Sequence, residues 1–352
     1  MTKKLLIFFV ILLLSITGKC QVYVLYDSTL QNIDNKEAFS FYKKGSAFLK
    51  KNKYLDAVNA YSGALAYKSN FVNAFVNRGG AFLQLSNYMA AYSDFNAAIR
   101  LTSTNPQSYF GRGVANYYLG NYQTAIVDFK IAIKFGWDNE MAEYYIGAAY
   151  FELKQYFEAI EHYNACLIIK PDFAKAYNDR AGVKKMLMDY DGAIDDYFKS
   201  IKLDPKTAMA YANLASAYWK IGELDEAVAN FGLAISLEPI NHIFYNNRAG
   251  VRISQKNYQG AITDCNKSIQ IDPEYAYAYN NRGNAYLKQK KYIKAENDFS
   301  KAILLKPDFG ATYLNRGICY EMQRKFEKAV NDWNNASAKG IEKAENYVSF
   351  YE

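Results

Sequence analysis

Histidine and cysteine are scarce in this chain, and their scarcity limits the chemistry that it can carry. The 352 residues include two histidines and four cysteines. The histidines, His162 and His242, are far apart, and neither belongs to a metal-ligand spacing. The sequence also lacks a nucleophile–base–acid set and a glycine-rich phosphate loop. We therefore expect no enzyme activity, no cofactor and no metal site.

The cysteines do not have the count or spacing of a disulfide framework. Cys20 lies in the N-terminal segment, which leaves Cys166, Cys265 and Cys319 in the rest of the chain. Disulfide-rich secreted domains are short and carry even numbers of cysteines. We expect these three side chains to be small buried hydrophobic groups.

A dense basic run is absent as well. The formal net charge of +7 falls to +4 when Lys3, Lys4 and Lys19 are removed with the N-terminal segment. Binding of nucleic acid depends on clustered lysine and arginine facing phosphate groups. The sequence therefore predicts no nucleic-acid partner.

The long apolar run Leu5–Ile16 lies near the N terminus behind a short basic start. Its twelve residues are fewer than the roughly 20 that a membrane-spanning helix needs. We predict that residues 1–20 are a cleaved export signal. The mature chain would then be periplasmic or secreted, with no membrane span.

Two processing routes remain open for this segment. Cleavage after Cys20 would leave Gln21 first, with Gly18 and Cys20 as the small residues that the peptidase needs. In the alternative, Cys20 becomes the lipid-modified first residue of a lipoprotein. Such signals place a small residue before the cysteine, whereas Lys19 is large and charged, so we favour cleavage. Residues 21–37 match no repeat and are predicted to be a polar lead-in.

What the chain does contain is a repeat of fixed period. Alanine recurs every 34 residues, and an aromatic residue precedes it by three positions in eight of the nine cases. A period of this size is typical of a solenoid, in which each unit is one supersecondary element. The recurring alanines are Ala57, Ala91, Ala125, Ala159, Ala193, Ala227, Ala261, Ala295 and Ala329.

The unit Ala276–Phe309 shows the pattern clearly. Its marker residues are Tyr279, Gly283, Tyr286, Ala295, Phe299, Ala302 and Pro307. This pattern resembles a tetratricopeptide repeat, and units starting at residues 38, 72, 106, 140, 174, 208, 242, 276 and 310 tile residues 38–343. The resemblance implies an all-α, right-handed α-α superhelical solenoid of nine 34-residue repeats. Each repeat would be a pair of helices, A and B, and the concave face of such arrays commonly binds a peptide or partner protein. We expect residues 341–352 to form a C-terminal capping helix.

Small residues recur at the eighth position of every unit. We expect them to face the alanines of helix B and to let the axes of helices A and B approach closely. They are Gly45, Gly79, Gly113, Gly147, Ala181, Ala215, Ala249, Gly283 and Gly317.

Six units carry arginine at the seventh position, and the same six carry aspartate sixteen residues later. Because an arginine fork can meet a carboxylate through two hydrogen bonds, we predict partly buried ion pairs between helices A and B. The alternative is separate solvated charges. The pairs are Arg78 with Asp94, Arg112 with Asp128, Arg180 with Asp196, Arg248 with Asp264, Arg282 with Asp298, and Arg316 with Asp332.

The resemblance also implies that the second, fifth, sixth, ninth, twelfth and thirteenth positions of helix A line the groove. In the first four repeats these positions are rich in aromatic residues, among which Tyr117, Tyr144 and Tyr145 could hold an apolar partner helix or belong to the core. From the fifth repeat on they turn polar. The asparagines are Asn213, Asn247, Asn281 and Asn315 at the sixth position, with Asn246 and Asn280 at the fifth.

A row of asparagines can clasp the backbone of an extended peptide, because each side chain offers both a donor and an acceptor. The row resembles the asparagine ladder in the helical repeats of O-linked N-acetylglucosamine transferases, which implies a binding mode and no catalysis. In the alternative, the asparagines lie on a solvated face and bind nothing. The carboxylate clamp of chaperone-binding repeats is not predicted, because Lys43 and Lys175 fit only scattered parts of it.

These observations favour an exported, non-enzymatic scaffold that binds a protein or peptide in the groove of its repeats. The alternative is a structural, self-associating component of a cell-envelope assembly. Enzyme activity is disfavoured, because near-identical units leave no singular site. The identity of a partner does not follow from the fold.

Overall fold

The structure, a computed structural model, describes residues 35–137 and 140–351. The predicted export signal, residues 1–20, lies outside the described residues, as does the predicted lead-in up to residue 34. Every regular element in the described ranges is an α-helix, which confirms the all-α class. None of these helices is long and apolar enough to cross a membrane.

Nineteen helices in the described ranges alternate between the two roles of the repeat, with α19 (Glu342–Tyr351) in the place of the predicted cap. The A helices are α1 (Lys36–Lys50), α3 (Val72–Gln84), α5 (Pro106–Tyr118), α7 (Glu140–Glu152), α9 (Ala174–Met186), α11 (Ala208–Ile221), α13 (His242–Ser254), α15 (Ala276–Lys288) and α17 (Gly310–Met322). The B helices are α2 (Tyr54–Tyr67), α4 (Tyr88–Leu101), α6 (Tyr122–Lys134), α8 (Tyr156–Ile169), α10 (Tyr190–Leu203), α12 (Leu224–Leu237), α14 (Tyr258–Ile271), α16 (Tyr292–Leu305) and α18 (Phe326–Ala338).

The A helices begin at the residues that the repeat phase predicts, except for α1. Helix α1 begins at Lys36, two residues early, so the lead-in predicted to reach residue 37 ends at Asn35. The side-chain oxygen of Asn35 accepts a hydrogen bond from the backbone N–H of Ala38 at 2.9 Å. This cap satisfies one of the free N–H groups of the first turn and starts the helix there.

The turn between helices A and B places its residue at the fifteenth position in the left-handed region of backbone space. Gly120 and Gly222 adopt φ values of 81° and 93° there without a steric penalty. Met188 adopts φ 64° with a side chain in place, which costs conformational energy. The same region holds Asn52, Ser86, Lys154, Lys256, Lys290 and Arg324.

The chain forms two compact units, which are described separately. Unit 1 comprises the described residues up to Val183, and unit 2 comprises those from Lys184 onward. Within each unit, helix A packs on helix B of its own repeat, and helix B packs on helix A of the next. One hairpin cannot enclose its apolar face, so each repeat depends on its neighbours for a complete core.

An aromatic ring at the twenty-fourth position lies against the small residue at the eighth. A Cβ atom added to Gly283 would lie 2.7 Å from the ring of Phe299, which is closer than packed atoms approach. We expected the helix B alanines in this place, but the ring fills it, and glycine lets the ring lie on the backbone of helix A. The same contact joins Gly45 to Tyr61, Gly79 to Phe95, Gly113 to Phe129, Gly147 to Tyr163, and Gly317 to Trp333.

Five of the six predicted Arg–Asp pairs lie within one unit, and in each the pair is an ion pair between helices A and B. Nε and Nη2 of Arg282 donate to the two carboxylate oxygens of Asp298 at 2.8 and 2.7 Å. Nη1 donates to Oδ1 of Asn266, in helix B of the preceding repeat, at 2.7 Å. The arginine thus joins its own repeat to the one before it. The five pairs are Arg78–Asp94, Arg112–Asp128, Arg248–Asp264, Arg282–Asp298 and Arg316–Asp332.

The sixth predicted pair, Arg180 and Asp196, is divided between the units. In unit 1, Nη1 of Arg180 donates to Oδ1 of Asn164 at 2.6 Å. In unit 2, Asp196 is 1% exposed and lies 2.8 Å from Nζ of Lys184. The backward step of sixteen residues from arginine to the preceding helix B also joins Arg78 to Ser62, Arg112 to Asn96, and Arg316 to Ser300.

Replacing Arg282 with methionine should destabilise the fold by about 3 kcal/mol, because Asp298 would remain buried without its cationic partner. Adding Asp298→Leu should recover most of that loss, since the lone carboxylate is then removed. Thermal unfolding followed by circular dichroism measures both variants. Equal losses of melting temperature in the single and the double variant would contradict the pairing.

Arg248→Met is the matched control for this experiment. Its aspartate, Asp264, also accepts a hydrogen bond from Nη1 of Arg252 at 2.8 Å. Moreover, the position sixteen residues before Arg248 is Gly232, which has no side-chain acceptor. Arg248→Met should therefore lower the melting temperature less than Arg282→Met.

Candidate functional site on the helix-A face

The helix-A face is the set of side chains at the second, fifth, sixth, ninth, twelfth and thirteenth positions of helix A. Neighbouring repeats meet on this face in a constant register, in which the fifth position of one repeat contacts the sixth position of the next. Residues 35 apart in the sequence therefore share hydrogen bonds. The bonded pairs are Tyr42 with Asn77, Tyr144 with Asp179, Asn246 with Asn281, and Asn280 with Asn315.

In unit 1, the predicted aromatic groove residues belong to the core. Tyr117, Tyr144 and Tyr145 are 4%, 1% and 1% exposed, and their rings pack on one another. Burial raises the pKa of the Tyr144 hydroxyl well above its usual value, and the nearby Asp179 carboxylate adds to the effect. Because a ligand cannot contact rings that are almost fully buried, we do not assign these tyrosines to a binding surface.

In unit 2, most of the predicted asparagines are buried and engaged with one another. Asn280, Asn281 and Asn246 are 1%, 5% and 6% exposed, and Asn213 is 8% exposed. Nδ2 of Asn281 donates to Oδ1 of Asn246 at 2.8 Å. These amides therefore tie successive A helices together, which is a structural role that the sequence pattern did not reveal.

Asn247 and Asn315 are the half-buried members of the row. Oδ1 of Asn247 accepts a hydrogen bond from Asn246 at 3.3 Å, while its Nδ2 donates to no group among the described residues. Nδ2 of Asn315 donates to Oδ1 of Asn280 at 3.1 Å, which leaves its Oδ1 as an acceptor. The ladder thus offers single amide groups to a ligand, and not a row of four complete amides.

Trp219 adds an aromatic surface one helical turn from Asn247. Its indole N–H donates to Oγ of Ser254 at 3.1 Å. A Cβ atom on Gly250 would lie 2.7 Å from the indole ring, so the ring lies over the glycine, one helical turn from Asn247. The ring itself is half-buried. We call Trp219, Lys220, Asn247, Gly250 and Ser254 the helix-A patch of unit 2.

Lys185 lies at the twelfth position of its repeat, and Lys220 lies at the thirteenth position of the next. The same register joins Trp219 to Ser254. Nζ of Lys185 is buried and has no hydrogen-bond partner among the described residues, although the aliphatic stem is partly exposed. Burial lowers the pKa of Lys185 from its ordinary value of 10.5 to about 8, and the positive charge of Lys220 contributes. Sequence reasoning missed this lysine, because only the stacked structure shows that its ammonium group is buried.

The histidines and cysteines have structural surroundings. Nδ1 of His162 lies 2.6 Å from Oε2 of Glu143, and Nε2 of His242 lies 3.5 Å from Oδ2 of Asp272. Cys166, Cys265 and Cys319 are buried free thiols. No group of three or more His, Cys, Asp or Glu side chains in the described ranges is arranged to hold a metal ion.

Family models described as tetratricopeptide repeat or TPR repeat match most of the chain. The matched residues are 42–106, 81–140, 141–173, 189–222, 208–241, 250–290 and 276–309. Together they cover well over half of the 352 residues. A comparison with curated protein sequences finds no match.

Solved tetratricopeptide structures share the fold. A tetratricopeptide repeat protein from Parabacteroides merdae is 23% identical with a TM-score of 0.54, over 73% of this chain and 98% of that chain. The C-terminal part of a TPR repeat-containing protein from Cytophaga hutchinsonii is 19% identical with a TM-score of 0.57, over 68% and 98%. The Cut9–Hcn1 hetero-tetramer of the APC/C is 15% identical with a TM-score of 0.56, over 89% and 64%. These likenesses show the fold alone.

Replacing Lys185 with methionine should stabilise the protein at pH 7, by about 2 kcal/mol, because it removes an unpaired buried charge. The folded-state pKa of Lys185 is depressed to about 8, so the penalty is fully present below pH 8. It disappears as the pH rises from about 8 to 10.5, where the unfolded chain also loses the proton. Melting temperatures of wild type and variant at pH 7 and about pH 10 test this.

Lys220→Met is the matched control. It removes the smaller cause of the pKa shift and leaves the burial of Lys185 unchanged, so it should stabilise less. A Lys185→Met variant that melts below wild type at pH 7, or by a margin independent of pH, would contradict this account.

Proposed function

This chain belongs to the tetratricopeptide repeat family, and from that premise we propose that it is an exported scaffold that holds an extended peptide segment of a partner protein on the helix-A patch of unit 2. The repeats support a protein–protein interaction scaffold, and their fold is generally non-catalytic. The observation that carries the finer proposal is the open amide of Asn247 beside the half-buried ring of Trp219.

The amide of Asn247 is held in place by one hydrogen bond, and its nitrogen remains available as a donor. Nδ2 of Asn246 donates to Oδ1 of Asn247, which restrains the side chain. Nδ2 of Asn247 has no partner in the described part of the chain. A peptide backbone carbonyl is the complementary group. Since the orienting bond is already formed, a ligand that accepts from this nitrogen orders little side chain when it binds.

The ring of Trp219 supplies apolar area next to that donor. Its position is fixed by the hydrogen bond to Ser254 and by the contact with Gly250. A tryptophan that is rigid and partly exposed is typical of the residues that dominate binding energy at interfaces. A donor beside such a ring suits a segment that presents its backbone and one apolar side chain.

Unit 1 offers no equivalent surface at the predicted tyrosines. Tyr117, Tyr144 and Tyr145 are closed by ring packing. This contrast supports unit 2 as the place of binding. The proposal of export depends on the sequence of residues 1–20. We prefer cleavage after Cys20 to a lipoprotein, because the residue before Cys20 is the large, charged Lys19.

Replacing Asn247 with alanine should weaken peptide binding roughly fivefold, because one hydrogen bond contributes about 1 kcal/mol. Peptides selected from a random phage-displayed library on the wild-type chain serve as ligands, and fluorescence anisotropy gives their dissociation constants. Trp219→Ala should weaken the same peptides at least as strongly.

Asn334→Ala is the matched control, since Asn334 is an exposed asparagine on helix B and its loss should leave the affinity unchanged. Light scattering of the mature chain accompanies the measurement, because the alternative of a self-associating envelope component predicts oligomers. Peptides that bind wild type, Asn247→Ala and Trp219→Ala equally would overturn the proposed site.

Intact mass spectrometry of the chain purified from its native cell envelope or culture medium should show Gln21 as the first residue. Cleavage at this point removes the apolar run and three lysines together. A mass that retains residues 1–20 would contradict export by cleavage. A mass that starts at Cys20 with added acyl chains would establish the lipoprotein form instead.

A further inference from the structure

The ammonium group of Lys185 has no counter-charge in the described part of the chain. Nζ is buried without a hydrogen-bond partner, and no ion pair joins Lys185 or Lys220 to a carboxylate among the described residues. An unpaired buried charge is costly, and a like charge beside it adds to the cost. Other basic side chains at helix contacts behave differently, since Lys184 meets Asp196 and Arg252 meets Asp264.

An anion from outside the chain would supply what this site lacks. It would accept hydrogen bonds from the ammonium group of Lys185 and would offset the repulsion from Lys220. An incoming anion would meet the exposed Lys220 first, and the buried ammonium group of Lys185 would turn toward it on its partly exposed stem. Lysine suits a carboxylate as a compact point charge with three donors.

The position of the two lysines indicates the source of that anion. Lys220 follows Trp219 in the sequence and belongs to the helix-A patch, so a peptide that covers this patch would also cover Lys220. The mature chain predicted from the sequence carries a formal net charge of +4, which favours an acidic partner. We propose that Lys185 and Lys220 form a subsite for the carboxylate of an aspartate or glutamate side chain in the bound peptide. The subsite rests on the proposed function, because it selects among peptides that the helix-A patch binds.

The lowered pKa of Lys185 agrees with this geometry. A bound carboxylate would stabilise the protonated form and raise that pKa again. Near pH 8, binding of an acidic peptide should therefore take up protons from solution. A neutral peptide should not cause this uptake.

The test uses two blocked peptides, N-acetyl-hexaglutamate amide and N-acetyl-hexaglutamine amide, with the full mature chain. Isothermal titration calorimetry at low ionic strength gives both dissociation constants, and buffers of different ionisation enthalpy give the proton uptake near pH 8. We expect hexaglutamate to bind roughly tenfold tighter than hexaglutamine. Lys185→Met should remove most of that preference and the proton uptake, while Lys220→Met should reduce the preference in part.

Two controls separate folding and long-range charge from the subsite. Lys301→Met removes an exposed lysine of helix B and should leave the preference intact. Circular dichroism should show Lys185→Met folded and at least as stable as wild type. Equal affinities of the two peptides, a preference that survives Lys185→Met, or displacement of hexaglutamate by equimolar inorganic phosphate would overturn the subsite.

The outcome also distinguishes this inference from the proposed function. Selected peptides that depend on Asn247 but show no acidic preference would sustain the scaffold and remove the subsite. A Lys185-dependent preference for hexaglutamate without any binding that depends on Asn247 would sustain the subsite and remove the proposed peptide mode.

Discussion

The contact between the small residue at the eighth position and the ring at the twenty-fourth position sets the geometry of every helix pair in which it occurs. Gly283 against Phe299 is one case, and a single added carbon would meet the ring at 2.7 Å. Because the ring lies directly on the helix backbone, the two helices of a repeat have little freedom to slide. A constant pair geometry favours a constant register between pairs, and side chains 35 apart meet in successive repeats of unit 2. The register of side chains on the helix-A face therefore depends on a packing contact elsewhere in the repeat.

The arginines extend this order from one repeat to the next. Arg282 donates two hydrogen bonds to the aspartate of its own repeat and a third to helix B of the preceding repeat. Buried ion pairs are weak evidence for stability as such, because desolvation offsets much of the attraction. Their directional bonds instead fix which helix surfaces face each other, and Arg248, which lacks an acceptor in the preceding helix, shows that the link can be lost in one repeat while the fork is kept.

Sequence reasoning predicted the period, the starts of the repeat units and the arginine–aspartate step, because each recurs nine or six times in one chain. It did not predict the third bond of the arginines, since the acceptor alternates between Ser62, Asn96 and Asn266 and shows no single residue type. It also described the asparagines as a row open to a ligand, whereas Nδ2 of Asn281 donates to Oδ1 of Asn246. Burial of a side chain on helix A depends on the neighbour that covers it, and a pattern of single positions does not contain that information.

The same positions of helix A have different roles in the two units. The difference depends on which polar groups remain without a partner after the repeats stack. In unit 1, large rings at the groove positions fill the space between neighbouring A helices, so Tyr117 and Tyr145 complete the core and expose almost nothing. In unit 2, shorter polar side chains meet in the same register, and some of their hydrogen-bonding groups have no partner. An amide has donors and an acceptor, so each bond between two amides leaves other groups unused, as at Asn247. A lysine that meets a lysine leaves a whole charge unsatisfied, as at Lys185. The proposed binding site therefore uses the polar groups that the packing of the repeats leaves without partners.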